Sequence, residues 1–419
     1  MAAWWKEAKI YELYVDAFAG TFPGLTEKLP YFTELGINCL HILPHYPSPM
    51  IDGGYDITDY RGVRSELGTL EECIAFIEAA HLRDIRVMFD FPLNHTSDQH
   101  PWFIEARASR ESEKRDYYIW ADKADRYLEA VNAFPDIKSS NWIPNPATDD
   151  LYFATFYPQQ PDLNWDNPEV FDGMVSHMEF WTAHGVDAFR LDAVCFLAKR
   201  DGTNCKSLPE MHDRIRAIRA RLEENYPSVA LLAESAEKIE LLKTYFGQGD
   251  ECHLVYNFPL MEEFWMAIKD GSRLRLEAMI GHGADIPENC AWATFLRNHD
   301  EIALNDLSAE DRHALVDFLD PKHEYLFNGG EATSLRVATA LRNDVKKILE
   351  AFMMLYQTPG SPIMYYGDEI GMQNLPIGTD RLIDTRRYVR NRFDWEEAQR
   401  QAADPDSLLN KTARIIRGQ

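Results

Sequence analysis

Short, almost continuously apolar runs alternate along the chain with longer stretches in which apolar residues return every three or four positions. The short runs are 9–15 (KIYELYV), 37–43 (INCLHIL), 85–91 (IRVMFDF), 186–192 (VDAFRLD), 229–235 (VALLAES), 252–258 (CHLVYNF), 292–298 (WATFLRN) and 362–367 (PIMYYG). Their β-branched and aromatic content reads as strands buried on both faces. Helical periodicity fills most of the intervals. Over 168–184, Val170, Met174, Met178 and Trp181 share one face, and Gly185 sits where a C-cap belongs. A second helix runs from Leu70 to His81, with Leu70, Ile74 and Ile77 as its apolar face. Eight strands alternating with helices predict the α/β class and a (β/α)8 TIM barrel. The rival, a doubly wound sheet, normally carries a Gly-rich phosphate turn; neither GxGxxG nor GxxxxGK[ST] occurs.

The rhythm breaks twice. Between the third and fourth strands, residues 98–164 are polar, aromatic and Pro-rich (IPNPATDD, YPQQPDLNWDNP). That is too long for one helix with its loops and predicts a small inserted domain between strand 3 and helix 3. The organisation is then 1–97 and 165–419 as the two parts of the barrel, with 98–164 between them. The irregular stretch 304–342, after strand 7, is placed to cover the barrel mouth.

The 419 residues carry 43 Lys and Arg against 68 Asp and Glu, a formal charge of −25. Such a surface repels phosphates, which argues against a nucleic-acid partner and an anionic membrane. No run approaches 18 apolar residues, and the N-terminus MAAWWKEAKIYELYV lacks the pattern of a signal peptide. The six cysteines show no CxxC pairing and read as reduced, buried thiols. The expectation is a cytoplasmic enzyme.

In a barrel, reactive groups stand at the C-terminal ends of strands. Those ends offer Asp90, Asn94 and His95 after strand 3, Arg190 and Asp192 on strand 4, Glu234 after strand 5, and Asn298, His299, Asp300 and Glu301 after strand 7. Converging carboxylates with no HExxH and no GxSxG suggest glycosidic bond chemistry, one acting as nucleophile and another as acid/base. Cys195, beyond the strand end, reads as a packing thiol.

These residues lie in DFPLNH (90–95), GVDAFRLDAV (185–194), LLAES (231–235) and FLRNHDE (295–301), with QPDLN at 160–164. In order and spacing they resemble the sequence regions of glycoside hydrolase family 13, the α-amylase family, closest to its trehalose synthase and α-glucosidase branch. The resemblance implies Asp192 as nucleophile, Glu234 as acid/base and Asp300 as the carboxylate holding the sugar hydroxyls. Arg190 would keep Asp192 ionised, while Glu234 must stay protonated. It further implies His95 and His299 on the hydroxyls of the same glucose, Tyr55 as its stacking platform, and Asp52 at its non-reducing end with Arg390 as partner. Glu301 would be a rim residue.

Three departures stand out. The DxNxDGxGD cation loop of many relatives is replaced by DAFAGTFPG (16–24). In the trehalose synthase branch, an Asn like Asn94 and an Asp like Asp162 help hold calcium, but Lys199 stands where a Glu is expected. No cofactor is required, and a structural calcium at Asn94 and Asp162 is the one metal implied. The sequence ends at SLLNKTARIIRGQ (407–419) without the β-sandwich the family usually adds. The implied function is retaining hydrolysis or glucosyl transfer on short α-linked glucosides of the maltose or trehalose type. The alternatives are maltose–trehalose isomerisation by a trehalose synthase and a non-catalytic sugar-binding or scaffold role.

Overall fold

The computed structural model describes residues 3–379 and 382–419. Eight strands close into a parallel barrel: β1 (Ile10–Leu13), β2 (Cys39–Ile42), β3 (Arg86–Pro92), β4 (Ala188–Asp192), β5 (Ala230–Ala233), β6 (Leu254–Tyr256), β7 (Ala291–Phe295) and β8 (Ser361–Tyr365). Each pairs with the next, and β8 returns to β1 with Ile10 opposite Ile363. All eight lie within the apolar runs or one residue outside them. Every residue of β1, β2 and β5 to β8 is buried, as a sheet wrapped in helices requires.

The predicted helices form as well. Pro168–Ala183 begins on Asn167, whose side chain accepts the Glu169 N–H, with Pro168 in the first turn; Gly185 then turns the chain at φ +99°. Leu70–His81 opens with a reciprocal capping box between Thr69 and Glu72. Its buried stripe differs from the expected one. Cys73, Phe76, Ile77 and Ala80 face inward, while Leu70 and Ile74 are half-buried. Phe76 meets Phe22 of the earlier helix Phe22–Glu27 at 5.6 Å between ring centroids, and that contact turns the helix away from the simple apolar count.

Within 98–164 a three-stranded antiparallel sheet sets Asp150–Phe153 between Trp120–Ala121 and Trp142–Asn145. The segment is tied to the top of β3 by an antiparallel bridge between His95 and Asp162 and by the Leu163 N–H, which donates to Asn94 O at 2.8 Å. The stretch 304–342 forms the helix Ala309–Leu319, a hairpin of Leu326–Phe327 with Ala332–Thr333, and a turn of helix, Val337–Ala340. Phe134 of the insertion and Phe327 of the hairpin join Tyr157 and Ala332 in a small apolar cluster separate from the main core. Among the described residues no helix is long and apolar enough to cross a membrane.

Gly360, which leads into β8, has φ +133°, and a Cβ there would lie 2.6 Å from the Trp292 carbonyl oxygen. Gly271 has φ +67° with nothing near its missing Cβ. Gly360→Ala should therefore lose about 1–3 kcal/mol to backbone strain before the clash is added. A thermal scan should show a clearly larger fall in Tm for Gly360→Ala than for Gly271→Ala.

Candidate active site

Each functional side chain is placed by the strand that carries it. β3 and β4 run in register with Asp90 opposite Arg190 and Pro92 opposite Asp192. The Arg190 guanidinium has no exposed surface. Its Nη1 donates to Asp90 Oδ1 at 2.8 Å and to Asp192 Oδ1 at 2.6 Å, and its Nη2 forms an ion pair with Glu234 at the end of β5. Directly after Asp192 the chain leaves β4 through Ala193, a non-glycine residue at φ +53°. Such strain is held where it serves geometry; here it swings the turn Val194–Phe196 into the pocket wall.

Two carboxyls face the pocket from this guanidinium, with side chains 14% exposed for Asp192 and 16% for Glu234. Burial raises the carboxyl of Glu234 above its ordinary range, and Arg190 opposes it. Asp192 is also raised, because burial outweighs Arg190 and Glu234 adds its own negative charge. Arg190 is the one of these neighbours that favours ionised Asp192, the role the resemblance implies for it. The two carboxyls share one cation and titrate as a pair.

The third carboxylate follows β7. Asp300 Oδ2 lies 3.0 Å from His299 Nε2, and its Oδ1 accepts from Arg390 Nη2 at 2.6 Å and from Arg386 Nη1 at 3.3 Å. Burial opposes its ionisation, but His299, Arg386 and Arg390 together hold it well below the usual carboxylate range. Tyr55 stacks on the His299 ring at 5.4 Å and 13°, and its hydroxyl donates to Asp90 Oδ2 at 2.9 Å.

Asp52 closes one end of the pocket with a partner other than the expected one. Its Oδ1 accepts from Arg386 Nη2 at 2.9 Å, while Arg390 goes to Asp300 and donates from Nε to the His299 carbonyl at 3.3 Å. The reason is local. Asp384 accepts from the Arg386 backbone N–H at 3.1 Å, from its Nε at 2.8 Å and from its Nη2 at 2.9 Å, which folds that side chain toward Asp52. Phe134 and Phe327 both flank the guanidinium, at 4.8 and 5.2 Å. Gln160 completes the wall, donating from Nε2 to Asp52 Oδ2 and toward His95 Nε2, each at 3.1 Å. Burial lowers the basicity of His95, which suits a neutral ring accepting that bond.

The pocket so formed holds about 230 Å³ and is lined by Asp52, Tyr55, His95, Asp192, Glu234 and Asp300, with Phe134, Phe156, Phe196 and Phe258 as apolar walls. Against roughly 300–1,000 Å³ for ordinary small-molecule sites, this suits a compact ligand. Glu301 lines it too, its carboxyl pushed up to about 7 by burial and by Asp300. Cys195 is buried with its thiol pushed up to about 11, as an inert packing residue should be.

A family model for the catalytic domain of α-amylases matches residues 9–410. The chain belongs to the α-amylase family. It is 40% identical over 403 residues to the trehalose synthase/amylase of Mycolicibacterium smegmatis, covering 94% of this chain and 67% of that protein. An oligo-1,6-glucosidase of Bacillus cereus is 29% identical over 405 residues, 89% of this chain and 66% of its own length. Among solved structures, the isomaltulose synthase of Klebsiella sp. LX3 superposes with a TM-score of 0.80 at 25% identity, over 99% of this chain and 84% of that one. The protein is thus a sugar-active enzyme of the α-amylase family, and it spans about two thirds of the length of these two curated relatives.

Membership in the family raises the question of calcium at Asn94 and Asp162. Lys199 Nζ lies 3.0 Å from Asn94 Oδ1 and 2.9 Å from Asp162 Oδ2, and also donates to the Phe196 carbonyl. An ammonium thus already stands on both oxygens assigned to the ion, and this donor set does not fit a divalent cation. Among the described residues no group of three or more His, Cys, Asp or Glu is placed to hold a metal.

Arg386, Asp384 and Gln160 complete the site beyond what the sequence patterns single out. Gln160 opens the QPDLN segment and Arg386 lies in DTRR; the signal for each was its place in or near a family region, and its partner emerges only from the folded chain. The lysine bridge makes a testable demand. Chelators should leave the Tm unchanged, whereas Lys199→Met strands Asp162 as a buried unpaired carboxylate, a loss of about 3–5 kcal/mol. A chelator-induced fall in the Tm of the wild-type enzyme would contradict it.

Proposed function

We propose that this enzyme is a retaining α-glucosidase and transglucosidase of short α-linked glucosides, working through a glucosyl-enzyme on Asp192. The observation that carries the reading is the closed end of the pocket. Asp52, Arg386, Gln160, His95 and Asp300 bond to one another across it, leaving a chamber for a chain-terminal ring beside Asp192 and Glu234.

In the first step, an Asp192 oxygen bonds to the anomeric carbon as the glycosidic bond breaks, and Glu234 gives its proton to the leaving oxygen. In the second, Glu234 takes a proton from water or an acceptor hydroxyl, whose oxygen displaces Asp192. The shared proton of the carboxyl pair must therefore rest on Glu234 at the outset. Asp300, ionised by the cations around it, favours the positive charge that develops on the sugar ring.

Two supports favour transfer between disaccharides over plain hydrolysis. Phe134 and Phe327 both pack on the Arg386 guanidinium, putting apolar surface at the closed end, where it disfavours water. The relatives at 40% identity include trehalose synthases, which points to maltose and trehalose as the pair exchanged.

Incubation with maltose, trehalose, sucrose and isomaltose, followed by separation of products, tests the reading. Maltose should yield trehalose together with some glucose, and amylose blocked at its non-reducing ends should resist cleavage. Internal cleavage of blocked amylose would show an open cleft and refute the chain-end pocket. Asp192→Asn should lower turnover by about three orders of magnitude or more with the fold intact. Arg386→Ala, by contrast, should chiefly raise KM, since Asp52 and Asp384 lose their common cation.

A further inference from the structure

Glu12, on β1, takes no part in the chemistry above, yet it has no exposed surface and both its oxygens are in use. Oε1 accepts from the His299 backbone N–H at 2.7 Å and lies 3.0 Å from that residue's Nδ1. Oε2 accepts from the Tyr256 hydroxyl at 3.2 Å and faces His41 Nδ1 at 3.2 Å. A glutamine would fill the same space uncharged, and a carboxylate this deep costs several kcal/mol unless a cation answers it. Among the described residues two imidazole rings face that carboxylate: His41 at Oε2, itself raised above its ordinary range, against the cost of burial, by Asp90 and Glu12, and His299 at Oε1.

We propose that Glu12 is a positioning residue that holds His299 as a ring protonated on both nitrogens, with Nδ1–H on Glu12 and Nε2–H shared by Asp300 and the Tyr55 hydroxyl. Its effect reaches the sugar through two groups that line the pocket. Nε2 lies 3.0 Å from Asp300 Oδ2 and 2.6 Å from the Tyr55 hydroxyl, so a cationic His299 fixes both the carboxylate and the stacked ring. The groups around His299 are accounted for from each side. Tyr14 meets its ring edge-on at 6.0 Å, and Arg390 bonds its carbonyl. Asp90 and Arg190 lie beyond Tyr55, and His41 lies between Glu12 and Asp90. Burial disfavours the charged ring, but Asp300 and Glu12 outweigh it and raise His299 to about 9. The sign follows: the stabilisation is complete below the ordinary histidine value near 6.5 and is lost as pH rises through about 9.

The inference rests on the proposed reaction only for its kinetic arm. In protein labelled with ring 15N-histidine, the His299 signals, assigned by their absence in His299→Asn, should show two protonated nitrogens at pH 7. In Glu12→Gln the His299 midpoint should fall by about one pH unit or more, and kcat/KM on a 4-nitrophenyl α-glucoside by about tenfold or more. Glu12→Asp, which keeps the charge, should keep the ring cationic; it also decides the matter should Glu12→Gln fail to fold. A singly protonated His299 at pH 7 in the wild type overturns the proposal. So does an unmoved midpoint in folded Glu12→Gln, or a neutral ring in folded Glu12→Asp. Should no glucoside be turned over, the proposed reaction fails while the spectra still judge Glu12.

Discussion

The Arg190 guanidinium is the charge on which the rest of the site depends. Fully enclosed at the mouth of β4, it touches Asp90, Asp192 and Glu234, carried by three neighbouring strands. A contact near 2.8 Å is worth roughly 6 kcal/mol of attraction at an effective dielectric of 20, before the cost of taking both ions out of water. Those terms largely cancel, so the cluster does not exist to make the barrel stable. Its consequence is geometric: once Arg190 is buried, each carboxylate has one place to be. Asp192 and Glu234, the proposed nucleophile and acid/base, are thereby aimed by strand register instead of by loops, the rigidity that a bond-making pair would need.

A second buried array supports the opposite wall. His41 stands between Glu12 and Asp90, Tyr55 between Asp90 and His299, and Glu12 reaches His299 directly. Asp300 and Asp192 thus belong to one continuous chain of charges around the barrel mouth. Arg386 extends that chain outward to Asp52 and Asp384, where the insertion and the 304–342 segment meet over it. Lys199 does the same on the other side, holding Asp162 of the insertion against Asn94 at the end of β3. The insertion thus meets barrel cations at two points, Asp162 on Lys199 and the Phe134 ring on Arg386.

What the sequence disclosed follows from the physics that wrote it. Strands buried on both faces must be continuously apolar, so all eight were legible, and polar groups at strand ends in a barrel face its mouth, so the convergence of Asp192, Glu234 and Asp300 on one pocket was legible too. Partner choice was less legible. Arg386 and Arg390 lie four residues apart in one short turn, and only the fold of the Asp384 cap decides which of them reaches Asp52. The apolar face of Leu70–His81 was displaced by a contact with Phe22 that no local pattern encodes. The surroundings of Asp192 were only partly legible: its neighbour in sequence, Arg190, was visible, but the depth of burial and the approach of Glu234 were not. Glu12 and His41 were hidden because a polar residue within an apolar strand carries no local mark of the partner it meets across the barrel.

The two ends of the pocket differ in a way that bears on what reaction it can favour. At the closed end every charged group is matched: Asp52 with Arg386, Asp300 with His299, Arg386 and Arg390. A ring seated there meets donors and acceptors already fixed in place, so it is held in one orientation. The rest of the lining is more mixed: Phe196 and Phe258 give apolar walls, and the polar groups are Asn298, Ser235, Glu301 and Lys206, the last already paired with Glu237 at 2.8 Å. Aromatic faces hold a sugar by its apolar side without specifying which hydroxyl points where. Under the proposed reaction, that asymmetry lets the donor glucose stay rigid on Asp192 while the released glucose turns to present a different hydroxyl. A tightly bonded acceptor site would return the original linkage; a chamber wholly open to water would hydrolyse it. Under that proposal, a donor end whose charges are all matched, beside walls that fix the released sugar less tightly, is what would favour re-addition at a new hydroxyl.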